Sequence, residues 1–279
     1  MIENRDNRIF KISQLPYLEL KYSTTFNECP QKHYHNMICI LALKQGSAKF
    51  IVNEKELVLK KSRLIVINPN EVHYSICDEK NKDYYVIYIN RDWYQVLQKQ
   101  IFKTNNIIAI PNILDNLTIS DEFFNLFTTL SEDTDVIEKE LKLLHFLKNI
   151  FNEYIDEKVF LKIEETTKIA KEFKEYIEEN ISSKLTLSSI AKELKVSPYH
   201  IIRICNQDFG LSANAYIVNK RVHRAKKLIG NGVDISEAAV EVGFYDQSHL
   251  TNVFKKVFAI TPKAYQNDIK QSIKKDMDE

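Results

Sequence analysis

The spacing of the apolar residues changes once along this chain, and that change constrains the fold more than any other feature. Up to about Pro111 the apolar residues come in short runs rich in Ile, Val, Tyr and Phe: Met37–Leu43, Ala48–Val52, Leu57–Leu59, Leu64–Ile67, Val72–Cys77 and Tyr84–Ile89. Turn-like or polar stretches such as Lys44-Gln45-Gly46-Ser47 and Asn68-Pro69-Asn70 separate them. Short strands at such regular spacing predict a sandwich or barrel. Beyond Pro111 the spacing becomes three or four residues. Asp121–Thr129 and Asp135–Lys158 read as helices, and the second carries Ile137, Leu141, Leu144, Leu147, Phe151 and Tyr154 as an apolar stripe. That stripe suits either the chain's own sheet or a partner helix from a second subunit. From about Lys168 the pattern is helical to the end, so a β-rich half meets an α-rich half.

Within the α-rich half, two segments share one punctuation. Leu187, Ile190, Ala191 and Leu194 make a helical face, Ser197-Pro198 starts the next helix, and Ile201, Ile204 and Cys205 turn inward. About 48 residues later Ile235, Ala238, Ala239 and Val242 make the face, and Gly243 permits a sharp turn. Asp246 then caps a helix that buries Leu250, Val253, Phe254 and Val257. Short helix, tight turn and second amphipathic helix are the parts of a helix-turn-helix. One copy would be a weak signal, since any helical corner looks similar. Two in tandem, joined by a helix near Ala213–Ile229, predict a module that lays helices in the major groove.

The residues from Ile235 to Leu250, followed by Phe254-Lys255-Lys256 and Thr261-Pro262, resemble the signature of AraC/XylS-type transcription regulators. Arg221, Ala225 and Leu228 match that family's linker helix, and Ala191, Ser197, Arg203 and Gly210 match its first motif. The resemblance spans roughly Lys168–Gln266. The chain departs from it at Cys205, where the family usually has Phe, and at Ala259, where it usually has Gly.

The faces of the two recognition helices suggest the readers. On the first, Tyr199, Ile202, Arg203 and Asn206 lie off the apolar face. Arg203 suits bidentate pairing with guanine, and Ile202 suits a thymine methyl or is a plain surface residue. On the second, Gln247, Ser248, His249 and Asn252 face outward, with Gln or Asn pairing to adenine; by family analogy this helix instead mostly holds phosphates. Ser197, Lys220, Arg224, Lys226, Lys227, Lys255 and Lys256 are the phosphate candidates, each with plain solvation as the other reading.

Charge supports this division. The total is only +1, which taken whole argues against a nucleic-acid partner. Between Ile181 and Lys270, however, 13 Lys and Arg stand against 7 Asp and Glu, a charge of +6, which leaves −5 for the remainder. A basic module on an acidic one is the footprint of a DNA binder.

In the β-rich half, His33-Tyr34-His35, Gly46, Pro69 and His73 resemble the two motifs of cupin barrels. Cys39 stands at the usual Glu position and Glu71 at a usual Gly. A His33/His35/Cys39/His73 set suits zinc or iron in principle, whereas Cys39 inside an apolar strand favours an inert buried thiol. The reading adopted is no metal and no cofactor. The family resemblance implies an effector-binding barrel, with a pocket near His33, His35, His73, Tyr74 and Tyr88. Sugar, aromatic acid and peptide suit those side chains equally.

The predicted fold is thus α+β in two domains. A cupin-like barrel over 1–115 leads into helical dimerisation and linker segments over 116–162. An all-α DNA-binding domain over 168–270 follows, with motifs at about 187–208 and 235–257. The expected protein is a sequence-specific transcription regulator, an effector-responsive activator working as a homodimer, with double-stranded DNA, a small-molecule effector and RNA polymerase as partners. The competing reading is a metal-dependent cupin enzyme with a helical interaction module. No GxGxxG or GxxxxGK loop is present, and the longest apolar run, Met37–Leu43, falls far short of the roughly 20 residues of a membrane span. Met1–Asp6 lacks the apolar core of a secretory signal, and Cys29, Cys39, Cys77 and Cys205 show no CxxC spacing. A cytoplasmic protein with reduced thiols is expected.

Overall fold

The computed structural model describes residues 7–25, 29–76, 81–104, 106–155 and 167–277. Cys77 and the last residues of the helix expected over Asp135–Lys158 lie outside them.

The β-rich half forms two antiparallel sheets. The larger runs β1 (Asn7–Lys11), β2 (Leu18–Thr25), β8 (Asn81–Asn90), β3 (Met37–Leu43), β6 (Leu64–Ile67) and β9 (Ile113–Leu114), in that order. The smaller runs β5 (Lys55–Lys60), β4 (Ser47–Val52) and β7 (His73–Ile76). β3 is a continuous apolar run because both its faces are covered. Ile38, Ile40 and Ala42 face one core, while Cys39, Leu41 and Leu43 face a second core shared with Ala48, Phe50 and Val52 of β4. β4 itself alternates, with Ser47 and Lys49 exposed, because its other side meets solvent. β1 and β2 were not foreseen.

Three helices complete this half: α1 (Arg91–Phe102), α2 (Leu117–Ser131) and α3 (Val136–Tyr154). The last two pack on each other and on the large sheet through Phe123, Phe127, Phe146, Leu147 and Phe151. Cutting back one such ring to Ala costs about 3–5 kcal/mol. The stripe expected on α3 divides. Leu147 and Phe151 are buried, but Ile137 and Leu141 are 64% and 61% exposed.

The α-rich half comprises α4 (Lys168–Glu179), α5 (Leu187–Glu193), α6 (Pro198–Asp208), α7 (Ala213–Gly230), α8 (Ile235–Glu241), α9 (Gln247–Phe258) and α10 (Pro262–Met277). α5 and α6 pack with α4 around Phe173, Ile190, Ala191, Ile201 and Cys205, whose small side chain is fully covered. α8 and α9 pack with α7 and α10 around Ala238, Ala239, Val242, Leu250 and Phe254. Local chemistry sets the helix starts. Ser197 and Asp246 accept hydrogen bonds from the His200 and His249 amides, at 3.1 and 2.7 Å, and such caps contribute about 1 kcal/mol each.

Gly243, in the turn of the second motif, has φ +83°. A Cβ there would stand 2.9 Å from the Ile181 and Ser182 carbonyl oxygens and from the Arg221 guanidinium. Arg221 donates to the Ile181 and Ser183 carbonyls, stitching α7 to the loop after α4. Ala259 ends α9 in the left-handed region, at φ 56°, where a glycine carries no penalty.

The halves are joined by β1. Its Ile9 side chain enters the core of the second helix-turn-helix. The Ile9 amide donates to Asp268 of α10 at 3.0 Å, and Asn7 donates to the Ala259 carbonyl at 2.8 Å.

Candidate nucleic-acid interface and ligand cavity

Each of the eight proposed base readers is exposed on its recognition helix. Tyr199, Ile202, Arg203 and Asn206 line the open face of α6, while Gln247, Ser248, His249 and Asn252 line that of α9. Tyr199 is 76% exposed and Ile202 41%. Both are large apolar groups on an otherwise polar face. Arg203 donates to His200 Nδ1 at 3.2 Å, one turn back along α6. Tyr245, in the turn before α9, is 90% exposed.

The phosphate candidates separate into two groups. Arg224, Lys227, Lys255 and Lys256 are exposed, and Ser197 is the exposed cap of α6. Lys220 lies over the Tyr216 ring and pairs with Glu178. Lys226 does not belong on a DNA-facing surface. It pairs with Glu19 of β2 and lies 4.9 Å from the Phe258 ring and 5.2 Å from the Tyr265 ring. Within the basic run of α7, Lys226 lies on the face of the helix that meets the other half.

Lys226 roofs a cavity of about 200 Å³ between the halves. The floor comes from β2, β3 and β7 and from the 29–37 segment; His223, Lys226, Val257 and Phe258 of α7 and α9 close it. Lys21, 4% exposed, donates through Nζ to the Phe258 carbonyl at 2.8 Å, where the carbonyls at the end of α9 favour a cation. Burial lowers its pKa. Lys21, Lys226 and Glu19 together bring two ammonium groups and one carboxylate to the wall, so among the described residues that line it one positive charge has no counter-ion. Sequence reasoning missed Glu19, Lys21 and His223. In β2, Glu19 and Lys21 alternate with Leu18 and Leu20, a pattern identical to that of a strand with one face in water.

His33, His35, His73 and Tyr88 line this cavity; Tyr74 does not, because β7 places His73 and Ser75 on the cavity face and Tyr74 on the other. The three histidine rings pack together, with centroids 4.3 Å apart for His33 and His73 and 4.8 Å for His35 and His73. Burial pushes His33 down to about 4 and His35 down to about 3, and takes His73 well below the ordinary value. Cys39 is buried on the same wall, and burial raises its pKa strongly. Among the described residues, no group of three His, Cys, Asp or Glu is placed to hold a metal ion.

Two family matches divide the chain in the same way. The AraC-like ligand binding domain matches residues 23–147, and the helix-turn-helix domain matches residues 190–268. The chain belongs to the AraC-type transcription regulators. It is 26% identical to the HTH-type transcriptional regulator YbfI of Bacillus subtilis, over 78% of this chain and 80% of that one. Its helical part is 38% identical to the bifunctional transcriptional activator/DNA repair enzyme AdaA of the same organism, over 33% of this chain and 44% of that one. Among solved structures, ToxT of Vibrio cholerae shares the fold at a TM-score of 0.56 and 16% identity, covering 94% of this chain and 97% of its own. The protein is therefore a DNA-binding transcription regulator with a ligand-binding domain. No helix among its described residues is long and apolar enough to cross a membrane.

Proposed function

We propose that this AraC-type regulator is a cytoplasmic, effector-responsive activator whose effector is a small organic acid held between its two halves. The observation that carries this reading is the cavity itself. One wall belongs to the ligand-binding half; the other is formed by α7, which joins the two helix-turn-helix motifs, and by the end of α9, a recognition helix. An occupant that touches both walls biases how they sit together, which is the differential contact that effector control requires. The uncompensated positive charge of Lys21, Lys226 and Glu19 selects an anion. ToxT has been solved with an unsaturated fatty acid, also a carboxylic acid, bound to it.

On DNA, α6 and α9 enter successive major-groove segments about 34 Å apart. Tyr199, Ile202, Arg203, Asn206, Gln247, Ser248, His249 and Asn252 read bases, while Arg224, Lys227, Lys255 and Lys256 hold phosphates. The functional division is 1–115 for the effector, 116–162 for dimerisation and 168–270 for DNA. Ile137 and Leu141, exposed one turn apart on α3, form the dimer contact, which sedimentation of I137E checks. RNA polymerase is the further partner of the DNA-bound dimer. The test is a gel shift at fixed salt on the DNA upstream of the protein's own gene. Short-chain carboxylic acids change the affinity and their neutral amides do not. Equal response to acid and amide contradicts the proposal.

A further inference from the structure

The histidine end of the cavity carries information that the acid reading leaves unused. His33 Nδ1 lies 2.8 Å from the Gln31 carbonyl oxygen, His35 Nδ1 3.1 Å from that of Met37, and His73 Nδ1 2.9 Å from that of Glu71. A carbonyl oxygen has no proton to give, so in each pair the ring nitrogen is the donor. Each Nδ1 therefore bears the hydrogen. A neutral imidazole with its proton on Nδ1 presents Nε2 as a bare acceptor, and burial in this wall keeps all three rings neutral. The three side chains are 4%, 9% and 5% exposed. None of their Nε2 atoms has a hydrogen-bond partner among the described residues. From the opposite wall, His223 adds an Nε2 that is buried without a partner.

We infer that the effector is a polyhydroxylated organic acid, whose hydroxyl groups donate to the Nε2 atoms of His33, His35 and His73 while its carboxylate meets Lys21 and Lys226. This rests on the acid-effector reading above and narrows it. Three acceptors fixed in one tautomer demand a donor-rich ligand, and a hydrocarbon chain would leave them buried and unpaired. Hydroxyls supply those donors without adding charge. An ammonium group would supply them too, but a zwitterion would leave the surplus positive charge of the cavity in place. The cavity of about 200 Å³ accommodates an acid of about six carbons.

The experiment is isothermal titration of the full chain at pH 7 with three six-carbon probes: gluconate, hexanoate and sorbitol. Gluconate binds at least about tenfold more tightly than either of the others, because a site built to pair hydroxyls rejects the analogue that lacks them. H35F and H73F lower gluconate affinity toward the hexanoate level and do not weaken hexanoate binding. A readout that needs no variant is the 15N spectrum of the histidine side chains. The Nε2 resonances shift on adding gluconate and stay in place with hexanoate. Hexanoate binding as tightly as gluconate overturns the hydroxyl assignment and leaves the acid-effector reading standing. Sorbitol binding as tightly as gluconate overturns the acid end. Failure of both acids to bind overturns the inference and the acid-effector reading together, while the DNA-binding role stands apart from this outcome.

Discussion

Asn219 of α7 donates to the Tyr34 carbonyl at 3.1 Å and accepts from the Tyr34 amide at 3.4 Å. The backbone between the cavity histidines His33 and His35 is thereby tied to the helix that joins the two DNA-reading motifs. Asn219 is 2% exposed, so water does not replace these bonds readily. In N219L, the part-buried Tyr34 amide and carbonyl lose these bonds, at up to about 1–3 kcal/mol each. At about 2–4 °C per kcal/mol for a chain of roughly this size, the melting temperature falls by several degrees. The same variant loses the response of DNA binding to acids. A thermal melt and a gel shift check the two effects, and an unchanged acid response refutes the link.

The reassignment of Lys226 has a signature in salt. K255Q removes a phosphate contact, so the slope of log affinity against log salt becomes shallower by about 1, while sequence preference is retained. K226Q leaves that slope unchanged, since its ammonium group faces Glu19 and the cavity. R203A instead costs about 1–3 kcal/mol against the correct site and relaxes discrimination there. Titrations on one promoter fragment between 50 and 200 mM salt separate the three.

Burial of the histidines makes stability depend on pH in a definite direction. In the unfolded chain each imidazole has its ordinary pKa of about 6.5. In the folded protein burial pushes His33 down to about 4 and His35 down to about 3. Below pH 6.5 the unfolded chain binds more protons, so stability is full above that pH and is lost as pH falls toward the folded values. At about 1.4 kcal/mol per pH unit, each histidine costs about 2 kcal/mol between pH 6.5 and 5. Urea midpoints at pH 7 and pH 5 measure the loss, and H33Q reduces it. An equal loss in that variant assigns the pH dependence elsewhere.

Ala259 holds a left-handed backbone at the end of α9. A259G relieves a steric cost of about 1–2 kcal/mol, against about 0.4–1 kcal/mol from the greater freedom of glycine in the unfolded chain. The net expectation is stabilisation by a few tenths of a kcal/mol to about 1, with no change in DNA affinity. Denaturant midpoints test it, and destabilisation of this variant contradicts the left-handed cap.

Local signals made the helix-turn-helix pair legible. Ser197-Pro198, Gly243 and Asp246 each fix the backbone through their own covalent chemistry, so their meaning does not depend on distant neighbours. The strands β3, β4 and β6 were legible for a similar reason, since their apolar runs are bounded by turns. The far wall of the cavity was not. Glu19 and Lys21 have the pattern of a solvated face, and only the docking of α9 turns that face inward. Lys226 reads as one more base in a basic helix, and which face of α7 meets the other half is set by packing between remote segments. Tyr74 was misplaced by a single residue of parity, because a strand's inner face is fixed by register and not by residue type.

The central claim is that one occupant of the interdomain cavity touches both the sensing and the DNA-reading halves, and reciprocity makes that claim measurable. The dissociation constant of gluconate is determined by calorimetry on the full chain, free and saturated with a promoter fragment. Coupling of the usual size makes the two values differ by at least about fivefold, by the same factor through which gluconate alters promoter affinity. Tight gluconate binding that is identical with and without DNA would contradict it.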